Sequence, residues 1–518
     1  MLQPESVPWY KVRTSPPPFS LAKKISSTRS LTDNPPASPF RTIAFFPWTH
    51  DSLQTLWNGH HDISPAEWTS MIDEFSDAVA VGSDHKMYVF FTRQANKNPL
   101  CYKLPKSDED LKALPTDCVN VAWALNPHPM EPLEPLLLFS YLNLLHIYNI
   151  KRQGLAGYLR GHGSAITSIV VHPINANLFC TTSRDYTTRI YDLRLPPHQF
   201  PNNPCWPPGT SPSLAGAAHG LHMTEVEGKG IGRCIIVLMG GRSGGHQAAV
   251  LGAAFHPDFP IIATCGLDRL VKIWHVPRAF PEVLAREDKP LFSSSRIHKA
   301  RVLSVTWLQP DLLLTHSAPA IMRNPPDNPD VRASYLEPGQ LVVWRWLGLN
   351  RFFPPGREDV RQDVLRGCAS DYQESNSFKI ISAVSFPKVP TQFDVPMLHV
   401  YQSPSHDPIV LFTYPKSNVI RMFNVIHMQP RKPPPFPLEP GLVEQTQLRS
   451  DDESPLLPPR DIPPEIATWE ITTGTKASAD LESLTACAMG MDGTTIIGVG
   501  VKGSMWIWKA RRLTLANN

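Results

Sequence analysis

Arg160–Asp192 reads RGHGSAITSIVVHPINANLFCTTSRDYTTRIYD, and Gly245–Val276 reads GHQAAVLGAAFHPDFPIIATCGLDRLVKIWHV. The two stretches match step by step. Each opens on Gly-His, at Gly161-His162 and Gly245-His246. Each runs through an apolar strand to His-Pro, at His172-Pro173 and His256-Pro257. A second strand ends in small polar residues, followed by Asp185 or Asp268. A β-rich run then carries an aromatic, Tyr191 or Trp274. Internal repetition at this period governs how the rest of the chain is read.

Such a unit is the blade of a WD40 β-propeller. A four-stranded blade has two apolar faces and cannot bury both alone; stacking blades around a channel buries them and leaves only short edges. Within each unit the spacing lets His162 or His246 bond the Asp of the tight turn, with Thr182, Ser183 and Thr264 close enough to join and Tyr191 or Trp274 closing the network. His162, Asp185, Tyr191, His246, Asp268 and Trp274 are therefore expected to be structural. A catalytic His/Asp pair would not recur at blade period.

The remaining strand-like runs give an all-β fold: a seven-bladed WD40 β-propeller with long Pro-rich insertions and a disordered N-terminal arm. The arm covers residues 1–39 and the propeller 40–513, with a tail at 514–518. Blade one starts at Phe40 and resumes at Asp77–Thr92, separated by a loop containing WNGHHDISPAEW. Blade two is Cys118–Ile150, and the matching pair are three and four. Blade five combines Ile297–Ala318 with Gly339–Trp346, and blade six Phe378–Pro387 with Asp407–Val425. Blade seven is Ser483–Leu513. Insertions are expected at about 195–244, 319–338, 349–377 and 428–470. The last carries QPRKPPPFPLEP, whose Arg431-Lys432 precedes prolines as an SH3-type ligand or a plain linker would, and the acidic run Ser450–Ser454.

Composition narrows the function classes. The 518 residues carry a net charge of +3, too balanced for a general nucleic-acid clamp, so no direct sequence-specific nucleic-acid binding is expected. The basic residues of the arm (Lys11, Arg13, Lys23, Lys24, Arg29) fit a solvated tail or an acidic partner. No apolar run reaches the ~20 residues a membrane span needs, and no secretory h-region is visible. Cysteines are scattered without a C-x-x-C pair, and Cys180, Cys265 and Cys487 fall in strand-like runs, as buried free thiols of a reducing compartment would.

Chemistry has no carrier in this sequence. Gly228–Cys234 (GKGIGRC) lacks the Gly-Lys-Ser/Thr of a P-loop. His219 and His222, with Glu225 and Glu227 nearby, form no H-E-x-x-H. No Gly-x-Ser-x-Gly elbow and no H-x-E…C-x-x-C set is present. A non-catalytic, peptide-binding platform with no cofactor and no metal is expected.

Four segments carry a more specific resemblance: GHGSAITSIVVHPINANLFCTTSRDYTTRIYDLR, GHQAAVLGAAFHPDFPIIATCGLDRLVKIWHV, IHKARVLSVTWLQPDLLLTHSAPAIM and the terminal GSMWIWKARRL. In wording and order they resemble the EED/extra-sex-combs family, the WD40 subunit of Polycomb repressive complex 2. The resemblance is strongest over 116–346 and 483–513. It implies a nuclear scaffold that binds a helix of the SET-domain methyltransferase on one propeller face and supports methylation of histone H3 lysine 27 and transcriptional silencing. Other Polycomb subunits and the histone H3 tail are further implied partners. The runner-up is a generic WD40 adaptor of another multiprotein complex.

The family's other face reads trimethyl-lysine with an aromatic cage, in which electron-rich ring faces hold the quaternary cation. Carried over, the cage positions fall on Phe40, Val119, Ser382 and Ala383, the last two placed against Phe386. Three of these are not aromatic, so the cage is expected to be degraded. Tyr372 and Phe378 are the aromatics nearest in sequence. On the pocket rim Arg184 stands where the family has Lys, and Asp311 follows Trp307-Leu308 as the family Asp does. Phe40, Arg184 and Asp311 are thus the candidate histone-peptide residues.

Overall fold

A computed structural model describes residues 8–13, 17–26, 38–84, 86–94, 98–104, 119–127, 132–199, 226–241, 244–277, 284–323, 334–357, 371–387, 394–430, 463–474 and 482–511. Arg29, His219, His222, Glu225, Arg431-Lys432, the 450–454 run and the 514–518 tail lie outside them.

Seven blades form, each a sheet of at least four strands. From the channel outward, blade 1 is Phe40–Phe45, Ala78–Ser83, Lys86–Phe91 and Leu100–Lys103. Blade 2 is Asn120–Leu125, Pro135–Tyr141, Leu144–Asn149 and Gly154–Leu159. Blade 3 is Ile166–Val171, Leu178–Ser183, Thr188–Asp192 and Arg233–Leu238. Blade 4 is Val250–Phe255, Ile261–Gly266, Val271–His275 and Phe292–Ser294. Blade 5 is Val302–Gln309, Leu312–Ser317, Gln340–Trp346 and Phe378–Ser385. Blade 6 is Met397–Ser403, His406–Thr413, Val419–Asn424 and Trp469–Thr472. Blade 7 is Leu484–Gly490, Thr495–Gly500 and Ser504–Ala510, completed by Phe19–Ser26.

Strand period places alternate side chains on opposite blade faces. In His406–Thr413, Ile409 and Leu411 join the core against blade 7, while Val410 and Phe412 join the core against blade 5. Among the described residues the buried apolar side chains fall into seven clusters, each seated between two neighbouring blades. The ring is therefore held by sheet-on-sheet burial around its whole circumference.

Several expectations are corrected. The N-terminal arm is not uniformly unstructured: Phe19–Ser26 pairs antiparallel with Ser504–Ala510 and closes the ring, satisfying what would otherwise be the open edge of blade 7. Trp9 anchors the segment before it, 5.2 Å from Trp469 and 5.4 Å from Phe19. Phe378–Ser385 is the outer strand of blade 5, paired to Gln340–Trp346, and the inner strand of blade 6 is Met397–Ser403. The region expected as one insertion at 195–244 contains the outer strand of blade 3, Arg233–Leu238, and a fifth strand on blade 2, Gly228–Gly230. The glycines of that short strand have a steric cause: a Cβ on Gly228 or Gly230 would sit about 2 Å from a backbone oxygen of blade 2.

The loop expected within blade 1 contains a helix, Pro65–Phe75. Ser64 caps it by accepting from the Glu67 amide, Pro65 occupies the first turn, and Trp68, Met71, Ile72 and Phe75 make the buried stripe. The 319–338 insertion forms a hairpin, Ala320–Arg323 against Ser334–Glu337.

Candidate binding mouth of the propeller channel

The Gly-His…Asp repeats form His–Asp networks, with Thr181 rather than the expected Thr182 or Ser183 as the hydroxyl on the blade 3 histidine. In blade 3, His162 Nδ1 lies 2.9 Å from Asp185 and Nε2 lies 2.7 Å from the Thr181 hydroxyl. In blade 4, His246 Nδ1 lies 2.9 Å from Asp268 and Nε2 2.8 Å from Thr264, which also accepts from Trp274 Nε1 at 2.8 Å. The order fixes the proton path: indole N–H to threonine, threonine O–H to imidazole, imidazole N–H to carboxylate. Asp185 also accepts from the Gly163 and Thr187 amides and the Thr187 hydroxyl, each between 2.7 and 2.9 Å. One carboxylate thus ties the blade's entry turn to the turn between its second and third strands. Burial alone would raise the Asp185 pKa, but His162 and these donors hold it far below the usual carboxylate range. The same opposition, with His246 as the main partner, holds Asp268 at about 2.

Blade 5 carries a third version that its sequence did not announce. His298 Nε2 lies 2.7 Å from Thr315, and Trp344 Nε1 donates to the same hydroxyl at 3.2 Å. No carboxylate follows, and His298 Nδ1 has no hydrogen-bond partner among the described residues.

These turns surround one end of the channel. There, a cavity of about 400 Å³ is lined from five blades: by Asn120, by Ile166, Thr167 and Arg184, by Leu251, by Leu303, Ser304 and His316, and by Val395–Leu398. Apart from Arg184 and His316, these come from the starts of the inner strands or the residues just before them. His316 is buried, its Nε2 atom has no hydrogen-bond partner among the described residues, and burial lowers its pKa to about 3, so it is neutral near pH 7.

The three candidate peptide residues do not converge here. Arg184 lines the mouth. Phe40 is 2% exposed and packs edge-on to Tyr88 and Phe90, in the core shared with blade 7. Asp311 lies beyond Gln309, at the far end of the inner strand that begins at Val302. At 3.3 Å per residue that is about 23 Å from the mouth. There its carboxylate pairs with Arg345 Nε at 3.1 Å.

The remaining cage positions also move. Val119 is fully buried. Ser382 donates to the Gln429 carbonyl from the outer strand of blade 5, which also carries Ala383. Phe378 packs against Phe292 and Trp344, and Tyr372 receives Lys289 over its ring at 5.8 Å. The blade 6 residues at the mouth are instead Met397 and Leu398. Sequence reading missed Leu303, Ser304, His316 and Met397, because facing the channel end depends on strand register. Among the described residues no group of acidic, His or Cys side chains is arranged to hold a metal, and no helix is long and apolar enough to cross a membrane.

The described cysteines are all free; four are buried and Cys101 is exposed. The insertion stretch GKGIGRC is strand and turn, with Glu227 buried beside it and accepting from the His198 and Cys234 amides.

Comparison with known proteins agrees with this architecture. The family described as WD domain, G-beta repeat matches residues 154–192 and 232–275. Polycomb protein EED of Chaetomium thermophilum is 25% identical over 309 residues, which is 57% of this chain and 44% of that protein. Polycomb group protein FIE2 of Zea mays is 27% identical over 142 residues, 27% of each chain. The chain thus spans less than half the length of these curated relatives. Among solved structures, a chain of a humanized mutant of Chaetomium thermophilum Polycomb Repressive Complex 2 bound to an inhibitor superposes with a TM-score of 0.56 at 17% identity, covering 95% of this chain and 97% of that one. A chain of the Chaetomium thermophilum Polycomb Repressive Complex 2 crystal structure gives 0.55 at 17% identity, with coverages of 95% and 97%. Repeats, blade number and fold agree on a WD40 propeller, and its sequence is similar to that of Polycomb protein EED.

Proposed function

We propose that this chain is a non-catalytic scaffold subunit of a Polycomb-type complex that methylates histone H3 lysine 27. In this reading it works in the nucleus, binds the SET-domain catalytic subunit and other Polycomb subunits, and supports transcriptional silencing. The observation that carries the reading is the ordered likeness to Polycomb protein EED over 57% of the chain. The propeller itself supports it by offering a closed ring of seven blades with two faces.

Trimethyl-lysine reading is a separate matter, and we propose that this mouth does not perform it. A cage holds its cation against ring faces, each worth about 0.5–2 kcal/mol. The mouth offers aliphatic side chains, two hydroxyls, an amide, a neutral imidazole and the positive charge of Arg184 in their place.

The test is affinity purification of the tagged protein from its own cells with mass spectrometry of its partners. A SET-domain methyltransferase is expected among them; another stable complex in its place would return the chain to the class of generic WD40 adaptors. Calorimetry with trimethyl-lysine-27 histone H3 peptide is expected to give no heat of binding, and micromolar affinity would overturn the second proposal.

A further inference from the structure

The mouth face of blades 3 to 5 is unlike a surface built for a cationic ligand. Its floor is aliphatic, with Leu251, Leu303 and Met397 facing the cavity, and none of the lining residues is acidic. The polar groups are the Arg184 cation, the Asn120 amide, the Thr167 and Ser304 hydroxyls, and the buried Nε2 atom of His316, which has no hydrogen-bond partner among the described residues.

The rim repeats this chemistry. Tyr186, Leu267 and Ile321 lie between the second and third strands of three consecutive blades, the first two in turns and Ile321 in the hairpin. They are 37%, 43% and 63% exposed. Each stands two residues from a cation: Arg184, Arg269 and Arg323. Arg301, at the entry of blade 5, adds another exposed charge. Three carboxylates at this end are already engaged: Asp185 with His162, Asp268 with His246, and Glu337 with Lys299. Among the described residues none pairs with Arg269, Arg301 or Arg323. A partner that buries these apolar side chains brings its own negative charge to this face or leaves Arg269, Arg301 and Arg323 unmatched.

We infer that the mouth face of blades 3 to 5 binds an acidic peptide carrying aliphatic side chains, one of which enters the cavity while its carboxylates meet Arg269, Arg301 and Arg323. This goes beyond the scaffold reading and does not depend on which catalytic subunit the chain holds.

The test is selection of a displayed library of random 12-residue peptides on the full chain, followed by fluorescence anisotropy with the fluorescein-labelled winners. Sequences rich in Asp and Glu with interspersed Leu, Ile or Val are expected. Their Kd should rise at least tenfold in the double variant R269E/R323E, whose exposed rim positions leave the core untouched, and rise with salt. L303D, which places a carboxylate in the mouth, should weaken binding as well, with the thermal midpoint recorded to show that the ring is intact. Basic or neutral winners, acidic winners indifferent to R269E/R323E, or no enrichment at all would each overturn the inference. So would a fluorescein-labelled DNA duplex that binds through the same rim while the selected acidic peptides do not.

Discussion

Blades 3 and 4 solve one problem with a buried carboxylate, and blade 5 solves it without one. All three must hold the entry turn beside the turn that follows the second strand. In blade 3, Asp185 does this by gathering His162, Gly163 and Thr187. In blade 5, His298 and Trp344 still meet on Thr315, but the chain continues into Ala318-Pro319 and the hairpin, and His298 Nδ1 is left without a partner. The tether there runs through the hairpin's Glu337, which pairs with Lys299 at 3.2 Å and accepts from Gln340 at 2.9 Å. The difference separates two parts of the motif. The His–Thr–aromatic relay fastens the entry turn to the sheet, and the carboxylate fastens turn to turn.

Removing the carboxylate should give the largest effect. D185A strands an imidazole, two amides and a hydroxyl in a site where the Asp side chain is 3% exposed. A loss of about 3–5 kcal/mol is expected, as for breaking a buried pair. Urea unfolding followed by tryptophan fluorescence would measure it. A loss under 1 kcal/mol would mean that the turns hold each other by backbone contacts alone. T315V tests the shared relay in blade 5, where one hydroxyl serves both His298 and Trp344. It should cost about 2 kcal/mol, from unsatisfied buried polar atoms. By the same reasoning H298L, which removes an imidazole already half unpaired, should cost less than H162L.

How much of this could be read from the sequence follows the same division. Blades 3 and 4 were legible because four polar or aromatic positions recur at blade period. Blade 5 was placed by its alternation, while its relay went unnoticed because the signal residue, the Asp, is missing. Alternation alone does not say where a strand sits in its sheet. Phe378–Ser385 alternates as well as any inner strand, yet it is an outer one, and the resulting shift moved the expected cage positions away from Met397 and Leu398. Asp311 lies away from the mouth for a related reason: its place after the Trp307-Leu308 pair locates it in the chain but not at an end of the blade. Arg184 lies at the mouth, where Asp185 beside it marks a turn. The helix at Pro65–Phe75 was readable from Ser64-Pro65 and the spacing of Trp68, Met71, Ile72 and Phe75, but Gly and His residues just before it suggested a loop. The closing strand Phe19–Ser26 was hidden by proline-rich flanks.

The two designs should also respond differently to acid. Burial, and secondarily the neighbouring His316, lowers the His298 pKa to about 3, and burial does the same for His316. Unfolded histidines take up protons below about pH 6.5. Between pH 6.5 and 3 the unfolded chain therefore binds more protons than the folded one, and stability falls as pH falls. Asp185 and Asp268 act in another window. Their folded pKa values are depressed, so their contribution is complete above the unfolded value of about 3.9 and is lost only as pH drops through the folded value, about 2 for Asp268. Thermal midpoints recorded from pH 7 to 4.5 should decline, and the H298L/H316L double variant should flatten that decline while D268N leaves its slope unchanged. An equal slope in the H298L/H316L protein would assign the acid sensitivity to other buried histidines, such as His146 and His256, each held near 4 chiefly by burial.

The smallest effect should come from the substitute tether. Lys299 is 65% exposed at its side chain, so the Glu337 pair is screened by solvent on one side even though Glu337 itself is 11% exposed. Exposed pairs contribute about 0.2–1 kcal/mol. K299A should fall in that range and lose its effect in high salt, where the D185A penalty persists because its partners are out of reach of counter-ions. E337A should cost somewhat more, since it also releases Gln340 at the base of the hairpin. Hydrogen exchange is the readout that distinguishes a local role: K299A should speed exchange in Ala320–Arg323 and Ser334–Glu337 and leave Leu312–Ser317 protected. If K299A instead matched D185A in size and spread across the blade, the ion pair would be a full replacement for the buried carboxylate, and the division of labour between relay and tether would not hold.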